Sequence, residues 1–419
     1  MSPRLSRTNS QVRVLAAAHA ANAVGDGGFY VTSALFFAHV VGLTPVQIGT
    51  GLTVAWATGF VASTPLGHLA DRVGLRRSAV FLSLVTAAVL LLATLPRSMA
   101  SFVLVATMYA VSQSASAGVR QALLVSLVEP SHRVLSRARV QTAVNGGIGL
   151  GAGLGGVALL VGTTTAYITV FILDAASFLI SAGLLSRLPE PRPGPALAGA
   201  PTQGSALPKE QRLAVLRDRP YVVVALLNAV LYLYMPMLSV VLPLYIAART
   251  AAPGWTIAAV FVLNTTGVVL FQVRAASGVR DLATATRAIR RAGVALLLAC
   301  AAFAGAGVVD SAAASLLALA LGAGLQILGE VLLAAGSWEV GFSLADQNRQ
   351  GQWQALFSSG IPLARALGPL ALTTLVLTWH GPGWLVLGCA FAVASLSVGP
   401  VSSWATDRSA RHITERSRP

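Results

Sequence analysis

Long apolar stretches recur along the entire chain and decide what it can fold into. About a dozen of them reach roughly 20 residues, the length that an α-helix needs to cross a bilayer. Among 419 residues, 55% are hydrophobic and only 10% are charged, which leaves too few polar side chains to cover a water-soluble globule. Transmembrane barrels instead show short segments of alternating polarity. The pattern therefore predicts an all-α, multi-pass membrane protein surrounded by the lipid bilayer.

The distribution of basic residues predicts how the chain is oriented. The formal net charge is +15, with 29 Lys and Arg against 14 Asp and Glu. These residues are divided among short loops between the apolar stretches, so they form no single face that could bind a nucleic acid. With the N-terminus in the cytoplasm, the predicted outer loops carry only Arg97 and Arg249. We therefore predict twelve transmembrane helices in the cell (plasma) membrane, with both termini cytoplasmic.

A segment rich in proline and glycine divides the predicted helices into two groups of six. Prolines and glycines at this density cannot continue a helix, so we interpret residues 187–219 as a cytoplasmic linker. The chain then consists of an N-terminal six-helix bundle over 1–186, the linker, a C-terminal six-helix bundle over 220–401 and a cytoplasmic tail over 402–419. The predicted helices cover roughly 14–40, 46–67, 78–95, 99–122, 140–162, 166–186, 221–246, 255–273, 291–309, 312–335, 353–378 and 383–401.

One short charged segment, GHLADRVGLRR, lies between predicted helices 2 and 3. Its glycines permit a tight hairpin, and its arginines keep the hairpin on the cytoplasmic side. The segment resembles the helix 2–3 loop of the major facilitator superfamily, Gly-x-x-x-Asp-Arg-x-Gly-x-Arg-Arg. An ordinary cytoplasmic loop is the alternative, but it does not explain the spacing. The residues that match the motif are Gly67, Asp71, Arg72, Gly74, Arg76 and Arg77.

This resemblance implies a fold of two six-helix bundles and a role for the segment. In that family the loop belongs to the gate that closes the cytoplasmic mouth. Asp71 would then lie near the N-terminus of helix 11, where the helix dipole favours an anion. The arginines would connect neighbouring helices.

Predicted helix 5 carries glycines at a spacing that allows another helix to approach closely. They resemble the antiporter motif of drug exporters in the same superfamily, which has proline where this chain has Ala152. The basic residue that those exporters carry in helix 4 is also absent, because Ala110 stands in its place. Both departures weaken the case for export. The glycines of the motif are Gly147, Gly151, Gly155 and Gly156.

Asp26 is the strongest candidate for a functional residue inside the membrane. It lies about 12 residues into predicted helix 1, near the middle of the bilayer. A charged side chain there costs about 2.5 to 3.5 kcal/mol, so it must face protein or water. Asn22 and Tyr30 lie one turn to either side, and the three form a polar stripe that we expect to face a water-filled cavity. We predict that Asp26 binds protons; a structural hydrogen bond to a neighbouring helix is the alternative.

Two further charged residues, Arg120 and Glu330, lie at nearly equivalent places near the cytoplasmic ends of predicted helices 4 and 10. We predict that they form an ion pair when the cytoplasmic mouth is closed, with Arg120 in the gate and Glu330 as a second proton site. Alternatively, each side chain reaches solvent separately.

Other polar residues at helical spacing are candidate substrate contacts, although such stripes also arise from ordinary packing. Arg365 could bind an anionic substrate, pair with Asp26 or be a buried structural ion, and these alternatives stay open. Asp174 is expected to be protonated or hydrogen-bonded in a structural role. The substrate-binding candidates are Asn22, Tyr30, Gln113, Asn228, Tyr232, Asn264, Gln326 and Arg365.

The sequence favours a secondary transporter that exports small amphipathic molecules in exchange for protons, and we expect a monomer. Proton-coupled uptake of a nutrient is the alternative, although a hydrophilic nutrient would need a denser polar pocket. No ATP-binding element is present, and we expect neither a cofactor nor a metal. A membrane enzyme is disfavoured because the six histidines are scattered and cannot form a metal cluster.

Overall fold

The computed structural model describes residues 3–95, 97–128, 133–190, 214–345 and 350–416. All regular structure among these residues is helical. The first half contains α1 to α6: Pro3–Leu35, which continues as a π-helix over Phe36–Val40, then Pro45–Val73, Leu75–Leu92, Met99–Leu127, Arg133–Val161 and Thr164–Ser186.

The second half begins with a short helix, Ala214–Arg217, followed by α7 to α12. These six are Arg219–Arg249, Trp255–Ser277, Leu282–Ala306, Ala312–Ser343, the composite α11 described next, and Gly381–Arg416. The composite α11 consists of Gln350–Ser358, Gly360–Leu372 and the π-helix Thr373–Thr378. Polar side chains cap several N-termini: Thr44 accepts from the backbone of Gln47, and Asp281 from that of Thr284.

Ten helices among the described residues, α3 to α12, are long and apolar enough to cross a membrane. The first two helices do not reach that hydropathy. Polar residues such as His19, Asn22 and Asp26 interrupt α1, while glycine and threonine lower the hydropathy of α2.

The helices pack as two groups that meet along three seams. In the first group α1 lies against α5 and α6, and α4 lies against α2 and α3. In the second group α9 lies against α10 and α12, while α8 packs on α10. Between the groups, α2 contacts α11, α5 contacts α8, and α1 contacts the Met237–Arg249 part of α7.

The glycines of α5 allow two of these contacts. A side chain at Gly147 would meet the carbonyl oxygen of Ala20, and one at Gly151 would overlap the carbonyl oxygen of Val24. A Cβ at Gly155 would lie 3.0 Å from the carbonyl oxygen of Gly28, so three of the four motif glycines face α1. The fourth, Gly156, faces Ala258 of α8 across the seam between the groups.

Helix α7 is interrupted near its middle. The helix Arg219–Leu231 ends in a turn at Tyr232 and Leu233, and a π-helix over Met237–Val241 follows Pro236. Pro236 has no backbone N–H to donate and its ring disfavours a continuous α-helix. The interruption leaves Tyr232 half-buried and Tyr234 buried.

Several predicted helices begin or end at other residues in the structure, and two of these differences change the interpretation of a segment. Gly67 to Val73 continue α2 as helix, so the predicted hairpin loop reduces to a break at Gly74, whose φ of 110° is favoured only for glycine. The last helix runs on to Arg416 and takes in most of the segment predicted as a tail. Most of the predicted linker, residues 191–213, lies outside the described residues.

Candidate functional site

Asp26 lies in α1 and is 9% exposed. Its Oδ2 accepts a hydrogen bond from Asn22 Nδ2 at 2.9 Å. Its Oδ1 accepts from Gln113 Nε2 at 3.3 Å and from the Tyr109 hydroxyl at 3.5 Å, both on α4. The carboxyl group is therefore surrounded by neutral donors from its own helix and from α4.

Glu330 has a similar environment in the second half. Its Oε2 accepts from Asn264 Nδ2 of α8 at 2.9 Å and from Gln326 Nε2 at 3.3 Å. Gln326 lies one turn earlier on α10, as Asn22 does relative to Asp26 on α1. Side chains four residues apart lie on the same helix face, so this spacing places an amide beside each carboxyl.

The structure thus places one carboxyl group in each half, and neutral amides donate to both. It brings together five of the predicted site residues around these two acids: Asn22 and Gln113 at Asp26, and Asn264 and Gln326 at Glu330, with Tyr30 close enough to Asp26 to interact electrostatically.

Arg120 lies beside Asp26 and not beside Glu330. Its charge interacts with those of Asp26 and His19, whereas Glu330 is held by Asn264 and Gln326. Arg120 and Glu330 therefore do not pair in this structure. Their ion pair was predicted for the state in which the cytoplasmic mouth is closed, and for that state it stays a prediction.

A cavity of about 260 Å³ extends from Asp26 toward the N-terminal end of α1. Its walls come from α1, α4 and α5, and Arg120 and His19 line it. Two buried atoms at this cavity, His19 Nε2 and Asn22 Oδ1, have no hydrogen-bond partner among the described residues. A polar space of this size with unsatisfied groups is suited to hold water.

Arg365 lies on α11, at the seam between the two groups of helices. Its guanidinium carbon is 5.3 Å from the centre of the Trp56 ring on α2. Its charge interacts with Asp26 of the first half and with Tyr234 of the second. Among the described residues, Arg365 makes no hydrogen bond and no ion pair, and its side chain is exposed.

Two predicted contacts lie apart from both acids. Asn228 is 3% exposed and accepts a hydrogen bond from Ser337 at 2.8 Å, which joins α7 to α10. Tyr232 packs against Tyr234, with ring centroids 6.3 Å apart.

The charged segment between α2 and α3 contacts the end of α6 through Glu190. Arg76 Nε pairs with Glu190 Oε2 at 3.1 Å, and the Arg76 backbone N–H donates to Glu190 Oε1. A Cβ at Gly74 would lie 2.6 Å from this carboxylate. Arg72 and Arg77 are exposed, whereas the side chain of Asp71 lies outside the described residues.

Four residues of these clusters were missed as site residues. Tyr109 lies one turn from Gln113 and could have been selected by that spacing. Tyr234 carried no signal, because it is one more aromatic residue in an apolar span. Trp56 and Glu190 depend on contacts between distant segments, which spacing cannot reveal.

No group of three or more His, Cys, Asp or Glu side chains that could hold a metal occurs in the described part of the chain. Cys300 is buried, Cys389 is exposed, and both are free.

The sequence profile of the major facilitator superfamily matches residues 15–369. The chain belongs to this superfamily. None of the curated proteins compared with it matches. The family and the helical architecture together identify the chain as a multi-pass membrane transporter and not an enzyme.

Solved transporter structures share the fold at low sequence identity. One from work on proton dependent oligopeptide transporters has a TM-score of 0.74 at 15% identity and covers 96% of this chain and 99% of that one. A POT family transporter in complex with 5-aminolevulinic acid has a TM-score of 0.73 at 14% identity, with 94% and 96% covered. The nucleoside transporter NupG has a TM-score of 0.72 at 14% identity, with 93% and 98% covered. At these identities the likeness concerns the fold alone.

Proposed function

We propose that this transporter exports small amphipathic molecules in exchange for protons, as a monomer in the plasma membrane with both termini cytoplasmic. Helices α1 and α2 complete a set of twelve spans, because each packs along apolar helices of its own half. The two bundles rock against each other, so that a site between them opens to one side of the membrane at a time.

The pair of carboxyl groups, one in each half, carries this proposal. Neutral amide donors hold Asp26 and Glu330, and neither acid makes an ion pair among the described residues. A carboxyl held by amides can accept hydrogen bonds in both its charged and its neutral form, whereas an ion pair with arginine would favour only the charged form. Both acids can therefore bind and release protons once a neighbouring amide turns its oxygen toward the new O–H group.

The aromatic side chains near the acids support an amphipathic cargo. Tyr30, Tyr109 and Tyr234 surround the charged groups, and Trp56 lies beneath Arg365. Rings that combine an apolar face with a polar edge suit a molecule with an apolar body and few polar groups.

The charged motif at the junction of α2 and α3 belongs to the cytoplasmic gate. Arg76 of this motif forms an ion pair with Glu190, which follows α6.

Proton-coupled uptake is a second candidate. It is favoured by the likeness of the fold to structures from work on proton dependent oligopeptide transporters and on a nucleoside transporter. Arg365 would hold a polar nutrient as well as an exported molecule, so it does not decide between the two directions.

Everted membrane vesicles with a preset pH gradient test the proposal. We expect some members of a panel of hydrophobic cations, carboxylates and antibiotics to collapse the gradient in vesicles that contain the protein, but not in vesicles from cells that lack it. A gradient that no compound disturbs, with the protein present and folded, contradicts proton exchange. An effect that occurs only in right-side-out vesicles favours uptake.

A further inference from the structure

We infer that the cargo carries a carboxylate and that Arg365 binds it above the ring of Trp56. The inference rests on the proposed transport function and names the class of molecule that the site accepts, whichever direction the molecule travels.

The position of Arg365 is the first observation. The residue lies in the segment Gly360–Leu372 of a membrane-spanning helix and its side chain is exposed. A charge at this depth is costly unless it meets water, a counter-charge or a ligand. Its guanidinium lies 5.3 Å from the ring of Trp56 on α2, a helix of the other half that packs against α11, and this contact places it at the seam between the halves. Asp26 of α1 and Tyr234 of α7 are within electrostatic range of it.

The unused hydrogen-bonding capacity of Arg365 is the second observation. A guanidinium has five N–H donors, and none of them is used among the described residues. Asp26 lies within electrostatic reach, yet its oxygens accept from Asn22, Gln113 and Tyr109 instead. The nearest carboxyl is thus already satisfied, and the donors of Arg365 remain available to a ligand.

The ring of Trp56 determines the shape of the ligand group. A cation above an indole ring is stabilised by the electrons of the ring. A guanidinium stacked parallel to such a ring keeps its N–H edges free to bind a ligand. Two parallel N–H groups on such an edge match the two oxygens of a carboxylate. Tyr30 and Tyr234 lie near enough to interact with Arg365 and provide apolar surface for an aromatic or flat body attached to that carboxylate.

A matched pair of probes tests this assignment on the purified full-length protein in lipid nanodiscs. The probes are 2-naphthoate and 2-naphthamide, which share one aromatic body and differ in charge. Equilibrium dialysis should show that the wild-type protein binds the carboxylate about ten-fold or more tightly, the ratio expected of a charge-assisted hydrogen-bonded pair. Equal affinities, or no binding of either probe up to its solubility limit, overturn the inference.

Substitutions test whether Arg365 causes the preference for 2-naphthoate over 2-naphthamide. Arg365→Gln should abolish it, and Arg365→Lys, which keeps the charge but loses the fork of donors, should reduce it severalfold. The lysine variant also serves if the glutamine variant does not fold, as judged by gel filtration and thermal melting. Arg274→Gln, at the exposed end of α8, is the matched control and should retain the full preference. A preference that survives both Arg365 substitutions overturns the assignment.

Proteoliposomes separate this inference from the proposed function. If 2-naphthoate binds through Arg365 but no probe of the panel moves with a pH gradient, the proposed proton coupling fails and the carboxylate site stands. If other compounds move with the gradient while the wild-type protein shows no preference for 2-naphthoate, the coupling stands and the carboxylate site fails.

Discussion

At the scale of single residues, two buried acids among the described residues of the first half lie in different environments. Asp26 is held by donors from two helices and lines the cavity between α1, α4 and α5. Asp174 is fully buried in α6, with one oxygen near Ser177 and the other without a partner among the described residues. Asp26 thus lines a cavity along which a proton could enter or leave, whereas Asp174 lines neither of the two cavities found among the described residues.

Matched substitutions should therefore separate these acids. We expect Asp26→Asn to reduce proton-driven transport at least ten-fold, because the amide cannot bind a proton, whereas Asp174→Asn should keep the coupling even if it lowers the melting temperature. The measurement is the collapse of a preset pH gradient in vesicles with equal amounts of each variant. Unchanged coupling in the Asp26 variant would place the proton site elsewhere.

The two glycines of the charged motif also differ. Gly74 adopts a φ of 110° and faces Glu190, whereas a Cβ at Gly67 would meet nothing within 4 Å. We expect Gly74→Ala to destabilise the protein by about 1 kcal/mol or more and Gly67→Ala to have little effect on stability. Melting temperatures of the purified variants measure this difference, and equal melting points would argue against a strained break at Gly74.

At the scale of helices, the packing of α5 on α1 positions Asp26. Gly151 and Gly153 belong to the same helix, but a side chain at Gly151 would overlap Val24 of α1 whereas one at Gly153 would meet nothing. The spacing of these glycines predicted a close helix contact, while the identity of the partner helix depends on the tertiary fold.

These two positions give a matched test of that packing. Gly151→Ala should cost about 1 to 3 kcal/mol of stability, the usual cost of overpacking, and should weaken transport because α1 must shift. Gly153→Ala should leave both unchanged. Thermal melting and vesicle transport measure the two effects, and a tolerated alanine at Gly151 would show that α1 and α5 are not in close contact.

The sequence predicted some features of the site and missed others for identifiable reasons. Asn22 was found because helical spacing alone places it beside Asp26. The amide Gln113 could be named as a candidate, but its bond to Asp26 depends on how α4 packs. Arg120 lies beside Asp26 in this structure, a neighbour that its depth in the membrane could not specify, and its pairing with Glu330 in the closed state stays a prediction.

At the scale of the molecule, the two halves meet along α2 with α11, α5 with α8 and α1 with α7. Among the described residues, the main contacts of α1 with α7 lie in Met237–Arg249, the end of α7 farthest from the linker, and the cavity at Asp26 extends toward the opposite end. This arrangement suits two bundles that close at one end while the other is accessible. The account therefore requires that protonation of the two acids changes which end is closed.

Pulsed electron paramagnetic resonance on the protein in nanodiscs tests this claim most directly. Pairs of spin labels at Ser126 and Ser343 report on one end, and pairs at His39 and Arg249 report on the other, in a chain whose two cysteines are replaced. We predict that acidification shifts the two distances in opposite directions, and that Asp26→Asn combined with Glu330→Gln removes the response to pH. Distances that stay fixed across pH, or that change together, would contradict proton-driven rocking of the two halves.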